Sequence, residues 1–146
     1  MEIDLSYDVL GARIRRIGPF EVQYAGLLKQ AHQVGPLELV YHRKQLVKIG
    51  PADMEFDWKG GRLRKLGEWE LDYDWLGTRL RSIGPYAVNY DRAGSRVRDV
   101  GPMRLGYSRG GQIPETVSVP DEDTLSEERL IILYHVLMTA DSTDRG

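Results

Sequence analysis

The stretch Trp69-Glu70-Leu71-Asp72-Tyr73-Asp74-Trp75-Leu76-Gly77-Thr78-Arg79-Leu80-Arg81-Ser82-Ile83-Gly84-Pro85 reads as one unit of a repeated hairpin. Trp69, Leu71 and Tyr73 alternate with Glu70 and Asp72, the period of a strand with one buried face. Asp74-Trp75-Leu76-Gly77 breaks that alternation. Asp first and Gly last suit a turn built on type I geometry that closes in a left-handed residue. Thr78-Arg79-Leu80-Arg81 then resumes as a second strand, and Gly84-Pro85 stops it, because proline cannot donate to a central ladder.

Outward from this unit the corner glycine recurs as Gly18, Gly35, Gly50, Gly67, Gly84 and Gly101, spaced 17, 15, 17, 17 and 17 residues apart. Five of the six are followed by proline, at Pro19, Pro36, Pro51, Pro85 and Pro102, so the chain is a tandem array. Alternating first strands recur at Phe20-Val22-Tyr24, Leu37-Leu39-Tyr41, Tyr86-Val88-Tyr90 and Met103-Leu105-Tyr107. The Asp-to-Gly break recurs at 8–11, 57–60 and 91–94, each followed by a short arginine-bearing strand.

Charge pairing predicts the register. A four-residue loop sets Tyr73 opposite Thr78, Asp72 opposite Arg79, Leu71 opposite Leu80 and Glu70 opposite Arg81. Glu55 then meets Arg62 and Asp53 meets Arg64, while Ser6 faces Arg13 and Asp4 faces Arg15. A three-residue loop would put arginine on the apolar face, where it lacks a partner. One position resists: the apolar residue before each corner (Ile17, Val34, Ile49, Leu66, Ile83, Val100) has the parity of the arginine face. A bulge or strong twist at the Gly-Pro corner would turn it inward. The third repeat is two residues short, through Tyr41-His42-Arg43-Lys44-Gln45-Leu46, and the second lacks the loop Asp and Gly, so both irregularities fall between residues 24 and 50.

About twelve strands are predicted, too many for an open twisted sheet, and one face is apolar; curling into a barrel hides it. After the acidic linker Pro120-Asp121-Glu122-Asp123, Thr124-Leu125-Ser126-Glu127 offers a capping box. Leu130-Ile131-Ile132-Leu133-Tyr134-His135-Val136-Leu137-Met138 follows, apolar around nearly its whole circumference, which predicts a buried helix over about 124–140. The fold expected is therefore all-β with one C-terminal helix, an antiparallel meander of 17-residue hairpins curled into a barrel around or against that helix. Residues 1–119 form the sheet and 120–146 the linker, helix and polar tail, in one folding unit. A helix between two protomers is the alternative, leaving monomer and homodimer both open.

The chain has 146 residues, 41% hydrophobic, enough for a core. Cysteine is absent, which excludes disulfides and thiolate metal sites and suits a reducing compartment. Met1 to Leu10 lack the basic head and apolar run of a secretory signal, so a cytoplasmic location is expected. Net charge is −2, unevenly spread: residues 115–146 hold eight of 22 acids and two of 20 bases.

Two resemblances follow from these residues. Tyr73-Asp74-Trp75-Leu76-Gly77-Thr78-Arg79-Leu80 and Tyr90-Asp91-Arg92-Ala93-Gly94-Ser95-Arg96-Val97 resemble the YD repeats of Rhs-type proteins, which build β-shells. A repeated hairpin sheet ending in an apolar helix followed by Asp141 is similar to the tubby, scramblase and LURP-one-related group. That resemblance implies a twelve-strand barrel around a C-terminal helix, with some members acting at membrane lipids.

No catalytic constellation is read. His32, His42 and His135 lie in separate elements without ligand spacing, and the glycines mark turns rather than a phosphate loop, so no metal, cofactor or catalytic residue is expected. Carboxylates facing arginines stay ionised, which argues against general-acid work. Aromatics opposite the arginine face argue against nucleic acid. The expected function is a non-catalytic structural or protein-interaction module. Its candidate surface is Trp58, Trp75, Arg79, Arg81, Arg96 and Arg98, with an unknown protein as partner. The alternative is a barrel that binds a lipid or other apolar ligand, with Tyr24, Tyr41, Phe56, Tyr73 and Tyr90 lining its face.

Overall fold

The computed structural model describes residues 1–8, 13–24, 30–57, 62–74, 79–91, 96–109, 111–120 and 125–144, with helix side chains through Met138. Fourteen strands precede one helix: β1 (Glu2–Tyr7), β2 (Ile14–Ile17), β3 (Phe20–Tyr24), β4 (Ala31–Val34), β5 (Leu37–His42), β6 (Gln45–Ile49), β7 (Ala52–Phe56), β8 (Leu63–Leu66), β9 (Trp69–Tyr73), β10 (Leu80–Ile83), β11 (Tyr86–Tyr90), β12 (Val97–Val100), β13 (Met103–Tyr107), β14 (Pro114–Ser118) and α1 (Glu127–Asp144). Every strand pairs antiparallel with its sequence neighbours. β1 also pairs β14, through Glu2–Ser118, Ile3–Val117 and Asp4–Thr116, so the meander closes into a barrel. The expected all-β meander curled into a barrel with one C-terminal helix is the fold observed, with fourteen strands where about twelve were expected.

Each Gly-Pro corner is a two-residue hairpin turn. Ile83 pairs with Tyr86 across Gly84-Pro85, and Gly84 has φ +55°. Positive φ at the first central position followed by proline suits a type II′ turn, whose twist matches that of the strands. The Gly84 N–H donates to the Glu70 carbonyl at 2.8 Å, locking the corner onto the previous repeat. A Cβ on Gly84 would lie 2.6 Å from Trp69 Cδ1, so the corner sits on the first side chain of the strand before it.

The register differs from the expected one. Tyr73 pairs with Leu80 rather than Thr78, Asp72 with Ser82, and Leu71 with Ile83, leaving Arg81 as an extra residue in β10. The bulge resets the parity of the strand, so Leu80 (6% exposed) and Ile83 (0%) both face inward. The same irregularity recurs at Arg15, His32, Val47, Arg64, Arg98 and Glu115, once in every even-numbered strand. It lies within the strand, not at the Gly-Pro corner. The Asp74 N–H donates to the Arg79 carbonyl at 2.8 Å, which moves the span between paired residues one position later than expected, to 75–78, outside the described residues. The expected pairs Asp72–Arg79 and Asp53–Arg64 give way to Arg81–Asp72 at 3.9 Å and Arg64–Glu55 at 3.3 Å, and Arg13 meets Asp8 at 3.3 Å. The shortened third repeat closes as a tight turn, with His42 paired to Gln45 across Arg43-Lys44.

α1 begins later than expected. The Arg129 N–H donates to Ser126 Oγ at 3.2 Å, so Ser126 is the N-cap, while the expected Thr124 lies outside the described residues. The helix also runs past Asp141 to Asp144. Leu130, Ile131, Ile132, Leu133, Tyr134, Val136 and Leu137 are all buried, which covers the full circumference over two turns. They form one core with the inward residues of the strands, such as Ile17, Ile49, Leu66 and Met103. Burial on every side within a single chain places α1 in the lumen and removes the need for a second protomer to cover it. The Tyr86 hydroxyl, at the corner end of β11, donates to Glu128 Oε2 at 2.7 Å, so the helix enters at that end. It leaves at the loop end.

Replacing Leu133, fully buried on α1, by Ala is expected to cost about 2–5 kcal/mol in denaturant unfolding. Leu133→Asp should give a dye-binding, loosely packed state, because an unpaired charge enters the core. A soluble Leu133→Asp monomer with unchanged melting temperature would show that the helix is an appendage. Gly84→Ala should destabilise more than Gly67→Ala, since both have positive φ but the nearest atom to a Cβ at Gly67 is 3.2 Å away.

Candidate functional site: the loop rim and the bulge belt

Two tiers of charged side chains ring the barrel. The first is the loop rim, where odd-numbered strands carry a Tyr or Phe at or next to their last position and most even-numbered strands follow an arginine. Arg13, Arg62, Arg79 and Arg96 stack over the rings of Tyr24, Tyr73, Tyr90 and Tyr107 at 4.5, 4.6, 4.7 and 4.4 Å. Each of those arginines lies eleven residues before its tyrosine. The tyrosine hydroxyl donates to the carbonyl of the residue after the arginine: Tyr24 to Ile14 at 2.8 Å, Tyr73 to Leu63 at 2.6 Å, Tyr90 to Leu80 at 2.9 Å and Tyr107 to Val97 at 2.7 Å. Arg96 is further held by Asp91 at 2.7 Å and by the Gly111 carbonyl at 2.6 Å. Burial raises the Tyr73 and Tyr90 pKa, with the stacked arginine lowering it in partial opposition. Arg79 and Arg96 are therefore mortar between neighbouring repeats.

The second tier is the belt of bulge residues on the outer wall. Arg64, Arg81 and Arg98 project from β8, β10 and β12. Their side chains remain 64%, 65% and 54% exposed, each beside one carboxylate: Glu55, Asp72 and Asp99. Asp99 is held below the usual carboxylate range; burial opposes this, and hydrogen bonds from Asn89 and Arg98 outweigh it. Exposed pairs of this kind contribute about 0–1 kcal/mol each, so these arginines can exchange partners at little cost. An open groove of about 590 Å³ lies over Lys65, Glu70, Asp72 and Ser82, on strands β8 to β10.

Of the residues expected to form the interaction surface, Arg79 and Arg96 lie on the rim and Arg81 and Arg98 on the belt, while Trp58 and Trp75 fall outside the described residues. The aromatics expected to line an interior face sit at the rim, half-buried against the core. Sequence reasoning missed the arginine–tyrosine stacks, although their constant eleven-residue spacing was visible.

Between these tiers one sector departs from the pattern. Gln30 stands where β4 should follow an arginine, and its Nε2 donates to the Lys44 carbonyl at 2.7 Å. Gln45 replaces the next arginine, and the aromatic eleven residues later is Phe56, which has no hydroxyl. Tyr41 keeps its bond to the Ala31 carbonyl at 2.6 Å. Arg43 and Lys44 have φ of 51° and 69°, the two positive values of a type I′ turn, carried here by residues with side chains. Among the described residues no group of three His, Asp or Glu could hold a metal ion, and no helix is long and apolar enough to cross a membrane.

Comparison with family models, with curated proteins and with solved structures finds no match to this chain.

Removing the Tyr90 hydroxyl by Tyr90→Phe keeps the stack with Arg79 and deletes the bond to Leu80, so a loss of about 1 kcal/mol is expected by denaturant titration. His135 gives a second test. It is partly covered at the surface yet surrounded by protein, and burial pushes its pKa down to about 4 from the ordinary 6.5. The unfolded chain therefore binds this proton first. Its stabilising effect is complete above pH 6.5, is lost as pH falls towards 4, and is on the order of 3 kcal/mol. His135→Leu should flatten that part of the stability profile relative to the unmodified protein.

Proposed function

We propose that this chain is a non-catalytic protein-interaction module, a rigid barrel whose partner meets the outer wall or the loop rim. The observation that carries the reading is the helix in the lumen: Leu130 to Leu137 occupy the interior, so the surfaces left for a partner are the wall and the two ends. The bulge belt supports it, because bulges re-aim side chains and here aim Arg64, Arg81 and Arg98 at solvent. A partner bringing carboxylates would replace weak exposed pairs with better-covered ones.

A second reading, a barrel acting at lipids as in the tubby, scramblase and LURP-one-related group, is favoured by the closed barrel with a C-terminal helix. Fold likeness is weak support for function. A lipid would have to displace α1 or bind outside the wall. Native mass spectrometry of the purified chain distinguishes the readings, since a co-purified lipid would favour the second.

The direct test is capture from native lysate with chemical crosslinking. A reproducible partner crosslinked through Lys44, Lys48 or Lys65, all on described wall or rim positions, is the expected result. Turnover in an unbiased substrate screen, with no reproducible crosslinked partner, would overturn it.

A further inference from the structure

Between Glu21 and Asp53 the chain contains one acid, Glu38, against Lys29, Arg43, Lys44 and Lys48, with His32 and His42 besides. Elsewhere acidic and basic strands stand side by side, as β7 with Asp53 and Glu55 beside β8 with Arg64 and Lys65, and β9 with Glu70 and Asp72 beside β10 with Arg81. Three of these residues, His42, Arg43 and Lys44, stand exposed together at the β5–β6 turn. On the regular rim an Asp sits beside each arginine, as Asp8 does for Arg13 and Asp91 for Arg96. Neither Arg43 nor Lys44 has a carboxylate partner among the described residues.

The turn is also strained. A two-residue type I′ turn favours Asn-Gly, and residues with a Cβ resist positive φ. Arg43 and Lys44 both occupy that region, so this turn sacrifices stability to hold two long cations where glycine would fit better. It is held in place as well: the Gln30 side chain reaches across to the Lys44 carbonyl. Below the turn, Val40 lies 40% exposed on the outer wall opposite Lys48. Cations flanking an exposed apolar residue suit a polypeptide, whereas a nucleic acid would want stacking rings. Tyr24 and Tyr41 here keep their hydroxyls bonded to the wall and pack against the core.

We propose that the β4–β6 sector, centred on the His42–Gln45 turn, is the surface on which this barrel docks an acidic segment of a protein partner. The inference rests on the interaction-module reading and deepens it by naming the partner's chemistry and the place it binds. Charge complementarity is its basis: positive potential on this sector of a net-negative protein attracts acidic chain and repels basic chain.

The test uses the full chain and a fluorescently labelled oligoglutamate peptide, followed by anisotropy at low and moderate salt. Arg43→Asn combined with Lys44→Gly should weaken binding about tenfold or more and at the same time raise the melting temperature, because the strain is relieved. A merely structural turn would show the second effect without the first. Arg104→Gln combined with Arg109→Gln, exposed cations on and after β13, should leave peptide affinity within about twofold. The inference is overturned if the turn variant binds as well as the unmodified protein, or if the peptide does not bind at all. If Arg81→Glu combined with Arg98→Glu loses the peptide while the turn variant keeps it, the inference fails while the interaction-module reading stands. If single-stranded DNA or phosphatidylserine vesicles bind this turn more tightly than the peptide, the choice of an acidic protein segment is wrong.

Discussion

The width of the closed sheet and the girth of one helix have to agree, and the rest of the molecule follows from that fit. Fourteen strands spaced about 4.8 Å apart give a circumference of roughly 67 Å and a radius of about 11 Å before tilt. Wall side chains fill an eight-stranded barrel but not this one. What remains inside is a channel about the size of a helix with its side chains, roughly 10–12 Å across. α1 matches it by being apolar all round, from Leu130 to Leu137. A sheet that buried its face against a neighbouring layer would need only an amphipathic helix.

The wall reaches that fit through a repeated irregularity. A plain hairpin would bury one of Leu80 and Ile83 and expose the other; with the bulge at Arg81 both are inside. Burying one such aliphatic side chain stabilises by about 1.5–3 kcal/mol, against about 0.2–1 for an exposed cross-strand charge pair. Packing therefore decides the register and the charges settle for whichever partners the register leaves. That is why Arg81 reaches Asp72 at only 3.9 Å.

The same comparison explains what was legible in the sequence. Corners, strands and helix were readable because each is a local property: Gly-Pro turn chemistry at Gly84-Pro85, period-two alternation at Trp69 to Tyr73, and an unbroken apolar run at Leu130 to Leu137. Register was not, because charge matching assigned the decision to the weaker interaction. The parity of Ile83 already pointed to an inserted residue, and the structure places it within β10. At the candidate site, Arg79 and Arg81 look equivalent in sequence, two residues apart on one short strand. One is stacked on Tyr90 and the other reaches into solvent, a difference set by the neighbouring repeat rather than by the strand itself. The positive φ of Arg43 and Lys44 left no trace beyond a repeat two residues short.

The seam between β1 and β14 gives this array a property that open repeat proteins lack. A solenoid can gain or lose units and remain a solenoid, since each unit touches only its neighbours. Here Met1 and Val119 exchange backbone hydrogen bonds of 2.9 and 2.6 Å, and the ladder returns to its own beginning. Duplicating one hairpin would widen the bore past what a single helix fills, and losing one would evict the helix. Seven hairpins is thus a counted quantity, and the units of this chain differ in the residues within them, as at His42 to Gln45.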